Sequence, residues 1–310
     1  MRKLFFLALP VLIIFSFFSC SQNNQPSKNG KVIGVSLLTR GHIFYRDLES
    51  GLKTESYKFG YSLIITSADW DLGKQISQIE DFISRKVDAI IVSPVDSKGI
   101  GQGIAEANKA GIPVFTADIA AEEGKIVSHI ASDNLQGGRL AGQYLAEGLK
   151  GKGDIAIINQ PAITSVLDRV AGFREVIMKY PGIKIVADVN GQGVRDRSLQ
   201  VTADVLQANP GLAGIFGIND DSALGALDAV NQFNRKGIII IGYDATPPAV
   251  DAILKDSPLK ADVVQYPKKI GIKTIDIIKD HFDNKTVPAN VPVEVGIVDK
   301  QALQNQNISQ

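Results

Sequence analysis

The stretch IFGINDDSALGALDAVNQFNRKGIIIIGYDATPPAV, residues 215–250, decides how the whole chain is read. Two apolar runs, 212–218 and 237–241, have the length and branched composition of buried parallel strands. Each ends abruptly in polar residues: Asn219-Asp220-Asp221 after the first run, Asp244 after the second. Between them Leu224, Leu227, Val230 and Phe233 recur at three- and four-residue spacing, which predicts a crossover helix over 223–234. A β-α-β unit of this kind delivers an amide and a carboxylate to the rim formed by strand carboxyl ends. There the loops are free of packing duty and the next helix presents its N–H groups. Asp220 or Asp221 can be accounted for as a helix cap. Asn219 and Asp244 are harder to explain that way, and they are the first site candidates.

The same alternation runs through the chain from residue 31 onward, the pattern of a parallel sheet with helices on both faces. Strands are predicted at 32–37, 61–65, 88–92 and 113–116, with helices between them at 44–58, 75–84 and 100–109. A second series repeats the first in order and loop position: a strand at 155–158, a helix at 165–178 and a strand at 183–187. Gly51-Leu52 in one first helix is answered by Gly172-Phe173 in the other. The prediction is an α/β protein of two similar doubly wound parallel-sheet domains. The boundaries at Ser132-Asp133 and Gln265-Tyr266 fall inside extended runs with no linker, so strands are expected to cross between the halves there. The tail, with a helix at 270–282 and an alternating strand at 291–297, supplies a third crossing near Val293-Glu294. The domain assignment is therefore 31–132 plus 266–293 for the first half and 133–265 plus 294–305 for the second, hinged on three strands.

Composition narrows the function. The chain has 310 residues, 45% of them hydrophobic, and its 33 Lys plus Arg balance 33 Asp plus Glu. A net charge of zero without a basic run argues against nucleic acid as a partner. Met1-Arg2-Lys3 followed by an apolar stretch over 4–18 reads as a secretory signal peptide, residues 1–19, too short for a membrane span. The one cysteine, Cys20, follows directly, and Phe17-Phe18-Ser19-Cys20 resembles a bacterial lipobox, in which cleavage leaves an acylated cysteine. Phe17 stands where that signal usually has Leu. Residues 20–30, rich in Asn, Gln and Ser, read as a flexible tether. An uncleaved anchor and a soluble secreted form are the alternatives. All three place the domains outside the cytoplasm, in the periplasm or at the outer face of the cytoplasmic membrane.

The segments IPVFTAD (112–118), VSHIASDN (127–134), DRVAGF (168–173), FGINDDSALGAL (216–227), GYDATP (242–247) and ADVVQYP (261–267) together resemble the type I periplasmic sugar-binding proteins that feed ABC transporters, the ribose-binding group in particular. The resemblance covers residues 31 to 299. It implies that the two domains close on one sugar, that an ABC permease in the inner membrane receives it, and that the protein works as a monomer held to the membrane by its lipid alone.

By resemblance, Asp118 accepts hydrogen bonds from ring hydroxyls, and Arg169 holds two oxygens with its forked donors. Asn219, Asp244 and Gln265 match three further cleft positions. Phe44 and Tyr45 match an aromatic pair that sandwiches the sugar, although one of two adjacent aromatics at a helix start is expected to pack inward. His42 stands where the family offers a short polar residue, and an exposed loop imidazole is the alternative. Departures from the ribose pattern are Leu38 for a serine, Ile119 for an arginine, and a loop GQGVRDR (191–197) that lacks the relatives' aromatic, so ribose is not transferred as the ligand. Trp70, between Asp69 and Asp71, either supplies the missing stacking surface or covers the sheet edge. These three residues and Arg195 are the secondary candidates.

Other functions find less in the sequence. Nucleophilic catalysis needs a positioned base beside Ser or Cys, and the three histidines, His42, His129 and His281, sit in a loop, a strand run and a helix end. No GxSxG, P-loop or GxGxxG follows a strand, and no Cys/His spacing points to zinc. No catalytic residue, cofactor or metal is expected. A lactose-repressor-type regulator would need a helix-turn-helix in place of the leader. A sensor that presents its ligand to a membrane receptor remains an alternative to the transport role.

Overall fold

A computed structural model describes residues 30–308. Cys20, the signal segment and the rest of the tether lie outside these residues. The first lobe is built from β1 (Val32–Leu37), α1 (Ile43–Lys58), β2 (Ser62–Ser67), α2 (Leu72–Ser84), β3 (Ala89–Val92), α3 (Gly101–Lys109), β4 (Val114–Ala117) and β5 (Ser128–Ser132). The second contains α4 (Asn134–Gly148), β6 (Lys152–Asn159), α5 (Thr164–Ile177), β7 (Gly182–Asn190), α6 (Arg195–Ala208), β8 (Leu212–Gly217), α7 (Asp220–Gln232), β9 (Ile239–Asp244), α8 (Pro247–Leu254) and β10 (Leu259–Val264). The chain then returns to the first lobe with α9 (Pro267–Phe282) and β11 (Asn290–Val293). It ends in the second with β12 (Gly296–Asp299) and α10 (Lys300–Ile308).

The sheet orders are β2-β1-β3-β4-β5-β11 and β7-β6-β8-β9-β10-β12, the same pattern twice. All pairings are parallel except β10 with β12, which is antiparallel. The strand expected over 291–297 is therefore two: β11 lies in one sheet, β12 in the other, and Glu294-Val295 pass between. The other passages, at Asp133 and at Gln265-Tyr266, likewise fall just beyond strand ends. Two of the three touch each other, because the Asp133 N–H donates to the Val293 carbonyl.

The strands are wholly apolar where helices cover both faces: Ala89, Ile90, Ile91 and Val92 of β3 are all completely buried. In each lobe a helix pair crosses with glycine against backbone. A Cβ on Gly51 of α1 would lie 2.2 Å from the Lys268 carbonyl oxygen of α9, and one on Gly172 of α5 would lie 2.0 Å from the Leu135 carbonyl oxygen of α4. The Gly-aromatic or Gly-Leu echo in the sequence thus marks equivalent close helix crossings. Each sheet also has a strand-order switch, between β1 and β3 and between β6 and β8, where loops diverge and leave a crevice at the carboxyl ends. The two crevices face each other.

Candidate functional site

Between them is a small cavity, with about 50 Å³ of room for the centres of water-sized spheres. The first lobe contributes Leu38, His42, Phe44, Tyr45, Trp70, Asp118 and Ile119, and the second contributes Gln160, Ile163, Ser165, Val166, Arg169, Ile218, Asn219 and Asp244, with Gln265 at a crossing. Five of the polar ones close or follow a strand, Asp118 after β4, Gln160 after β6, Asn219 after β8, Asp244 closing β9 and Gln265 after β10, whereas Phe44 and Tyr45 lie on α1 and Ser165, Val166 and Arg169 on α5.

Two aspartates, one per lobe, are aimed by unusual backbone. Asp118 has φ 71° and Asp244 has φ 121°, both in the region that favours glycine, a cost kept where the surroundings fix it. Asp118 is 4% exposed. Its Oδ2 accepts from the Tyr45 hydroxyl at 2.8 Å, while its Oδ1 is buried with no partner in the protein. Burial pushes its carboxyl up to about 6, against the pull of the Arg169 guanidinium and of the Tyr45 hydrogen bond. Asp244 Oδ1 accepts from Gln265 Nε2 at 2.5 Å. Its Oδ2 lies 3.7 Å from His42 Nε2, a contact that spans the lobes. Gln265 in turn leaves its Oε1 buried and unpartnered.

Arg169 is 5% exposed and held on three sides. Its Nε donates to Asn134 Oδ1 at 2.8 Å and its Nη1 to the Ile218 carbonyl at 2.8 Å, and its guanidinium stacks 3.8 Å above the Tyr243 ring. The Tyr243 hydroxyl also approaches Asn134 Oδ1, at 3.3 Å. The same side chain lines the cavity.

Several candidates have local duties as well. Asn219 is the N-cap of α7: its Oδ1 accepts from the Ser222 N–H at 2.8 Å and its Nδ2 donates to the Gly193 carbonyl. The helix therefore begins at Asp220, three residues before the start expected from its apolar spacing, and the cap is neither Asp220 nor Asp221. His42 caps α1 through Nδ1, which accepts from the Phe44 N–H at 3.2 Å, leaving Nε2 for the cleft. Phe44 and Tyr45 meet edge-on, with ring centroids 5.2 Å apart. Both line the cavity and both are also buried in the apolar core of the first lobe. Tyr45 is thus also the donor that orients Asp118.

Three secondary candidates point elsewhere. Asp69 is exposed and paired with Lys74 and Ser67. Asp71 caps α2 by accepting from the Lys74 N–H. Arg195 makes a forked ion pair with Asp228, at 2.7 and 3.0 Å, and lines a separate opening between the lobes with His42 and Trp70 rather than the cavity itself. All three are drawn off by nearer partners. Trp70 does reach the cavity and stays 40% exposed at its mouth.

A second contact crosses the lobes beside the cavity. Thr164, the first residue of α5, donates its N–H to Ser97 Oγ at 3.1 Å, and its hydroxyl bonds to the N–H and carbonyl of Ala120 at 3.1 and 3.2 Å. The Ser97 N–H adds a bond to the Ala162 carbonyl. Sequence reasoning passed over Ser97, Thr164, Asn134 and Tyr243. Nothing in their spacing separates them from ordinary caps and core residues.

A family profile described as periplasmic binding protein domain matches residues 33–286. The chain belongs to the periplasmic binding protein family. This binding protein is 33% identical over 296 residues to the ribose import binding protein of Bacillus subtilis, an alignment that covers 92% of this chain and 96% of that one. Among solved structures it is similar to an ABC transporter periplasmic solute-binding protein of Actinobacillus succinogenes with bound D-allose, at TM-score 0.81 and 29% identity, covering 89% and 99% of the two chains. It is also similar to a solute-binding protein of Bacillus halodurans with bound myo-inositol, at TM-score 0.83 and 25% identity, covering 92% and 100%. Those relatives are binding proteins, and among the described residues of this one no group of His, Cys, Asp or Glu could hold a metal ion.

Proposed function

We propose that this binding protein captures one monosaccharide, or a closely related polyol, between its lobes and delivers it to an ABC permease without changing it chemically. The observation that carries the reading is the pair of buried acceptors, Asp118 Oδ1 and Gln265 Oε1, left without donors on the wall of the cavity. A buried acceptor costs about 1 to 3 kcal/mol until a donor reaches it, and sugar hydroxyls are donors. Phe44, Tyr45, Trp70, Ile119 and Ile163 offer the apolar surface that a ring's C–H face needs. Asp118, Arg169, Asn219, Asp244, Gln265 and His42 are the polar contacts in this reading. Acylation at Cys20 and a monomeric, lipid-tethered protein in the periplasm or at the outer face of the cytoplasmic membrane complete it. Calorimetry with pentoses, hexoses and cyclic and linear polyols is the test. One sugar or polyol should bind with one-to-one stoichiometry, whereas binding of an amino acid or peptide in place of every sugar would refute it.

The raised Asp118 carboxyl sets a pH dependence. Its folded value of about 6 lies above the usual 3.8, so its contribution to fold stability is full below pH 4 and is lost as the pH rises through about 6. Ligand binding should run the other way. Protonation below about pH 6 removes a charged acceptor, so affinity should fall as the medium is acidified from pH 7 to about pH 5, and Asp118→Asn should flatten that limb at lower affinity. Titrations across this range check it.

The Ser97–Thr164–Ala120 contact acts as a latch on the closed form. Ser97→Ala combined with Thr164→Val should weaken ligand binding by about 1 to 2 kcal/mol, mainly through faster release. Stopped-flow measurement of Trp70 fluorescence reads this directly. An unchanged release rate would show that the latch contributes nothing to closure.

A further inference from the structure

Asp244 reaches the cavity from a turn that ought not to be stable. Asp244 and Ala245, neither of them glycine, have φ of 121° and 54°. Behind the turn lie two buried carboxyls, Asp220 at 1% exposure and Asp262 at 0%. Asp220 Oδ2 accepts from the Thr246 N–H at 2.6 Å, and Asp262 Oδ1 accepts from the Ala245 N–H at 3.0 Å. The other two oxygens, Asp220 Oδ1 and Asp262 Oδ2, receive no donor from any other group. They converge on Gly242, where a Cβ would lie 3.1 Å from the first and 2.3 Å from the second, and the two carboxyl groups are close enough to hydrogen-bond.

Two bare carboxylates in contact and out of water would repel strongly, and nothing positive offsets them. The charge felt by both is a third carboxylate, Asp244 on β9. Thr246, the N-cap of α8, bonds Asp220 through its hydroxyl as well as its N–H, and still leaves Asp220 Oδ1 without a partner. Asp221, next along α7, interacts with His42 and Arg195, and Asp299 of β12 is approached by the Tyr144 hydroxyl at 3.4 Å. The one arrangement that satisfies both oxygens is a proton between them, covalently bound to one carboxyl and donated to the other.

We propose that Asp220 and Asp262 share one proton and that the resulting acid–carboxylate pair is the positioning device that holds Asp244 in the cavity, so that ligand affinity falls when this proton is lost in alkaline solution. The proposal rests on the sugar-binding reading for its effect on affinity, but not for the shared proton itself. Burial pushes Asp220 up to about 7, and burial together with the charge of Asp220 holds Asp262 well above the usual carboxylate range. Both shifts are upward, so the stability they contribute is present at acid pH and is lost as pH rises, first through about 7 at Asp220 and last at Asp262.

Asp262→Asn tests this. Its amide nitrogen donates permanently to Asp220 and its oxygen still accepts from the Ala245 N–H, a copy of the one-proton state that cannot ionise. The probe is whichever of D-ribose, D-allose and myo-inositol binds the wild type most tightly at neutral pH. Wild-type affinity should fall about tenfold or more between roughly pH 7 and 9.5, whereas Asp262→Asn should match the wild type at pH 7 and stay level. Asp262→Leu should be weaker throughout. An equal alkaline fall in Asp262→Asn, or no fall in the wild type, would overturn the proposal. If none of the three probes binds, the sugar reading is what suffers, and the pair is decided by the amide resonances of Ala245 and Thr246. These should move in alkaline solution in the wild type and stay fixed in Asp262→Asn, and their failure to move in the wild type would equally overturn it.

Discussion

Arg169→Ala is expected to weaken sugar binding by about 3 to 5 kcal/mol, more than a hundredfold, the cost of truncating one partner in a buried charged network. The loss has three sources. The guanidinium lowers the Asp118 carboxyl against the effect of burial, so removing it drives that acceptor further toward its neutral form. Its Nε and Nη1 bonds fix Asn134 and the Ile218 carbonyl; without them the carbonyl loses this donor and Asn134 Oδ1 keeps only the long bond from the Tyr243 hydroxyl. Among the described residues its fork is also the only guanidinium on the cavity wall, the group that can hold two ligand oxygens at once. Arg169→Lys should recover little, because an ammonium cannot reproduce the fork or lie flat on the Tyr243 ring. Calorimetry gives the affinities and circular dichroism establishes that the variants fold. Binding within threefold of wild type would place the ligand away from Arg169.

Gly172→Ala is expected to destabilise the second lobe by about 3 kcal/mol, at the upper end of overpacking costs. The added methyl would sit 2.0 Å from the Leu135 carbonyl oxygen and 3.1 Å from the Arg139 nitrogen. Both are backbone of α4, so no rotamer change relieves the clash and the helices must separate. On the same face Gly138 of α4 packs 1.9 Å, measured to its notional Cβ, from the Arg169 carbonyl oxygen. Separation therefore displaces the turn that carries Arg169, and affinity should fall together with stability. Urea unfolding measures the first effect and calorimetry the second. A variant as stable as wild type would mean the crossing is looser than these distances.

These two cases show what the sequence could and could not reveal. The two-lobed α/β architecture was legible because strands buried fully, as at 89–92, or nearly so, as at 239–241, leave unbroken apolar runs, and because their helices carry three- and four-residue spacing between. Asn219 and Asp244 stood out as polar residues that stop such runs, and both line the cavity. The cap was misjudged because Asn219, Asp220 and Asp221 are all competent caps, and the choice depends on an extended φ of −149° at Asn219. Asp69, Asp71 and Arg195 looked equivalent to true wall residues, since a charged side chain at a strand end reads the same whether it turns inward or finds Lys74 or Asp228 nearby. The positive φ at Asp118 and Asp244, and the carboxyl pair beneath the latter, have no local sequence signal. Asp220 and Asp262 are 42 residues apart and meet only because β9 separates their parent elements in the sheet.

The central claim is that the lobes close on one sugar, each supplying part of its contacts, with motion confined to the three passages at Asp133, Gln265-Tyr266 and Glu294-Val295. Small-angle X-ray scattering of the protein without residues 1–29, with and without a saturating concentration of the tightest-binding sugar, tests it most directly. The account predicts a fall in radius of gyration on adding ligand, with the liganded curve matching the closed structure described here, in which Ser97 meets Thr164 and His42 approaches Asp244. Superimposable curves at a concentration that calorimetry shows to be saturating would contradict it.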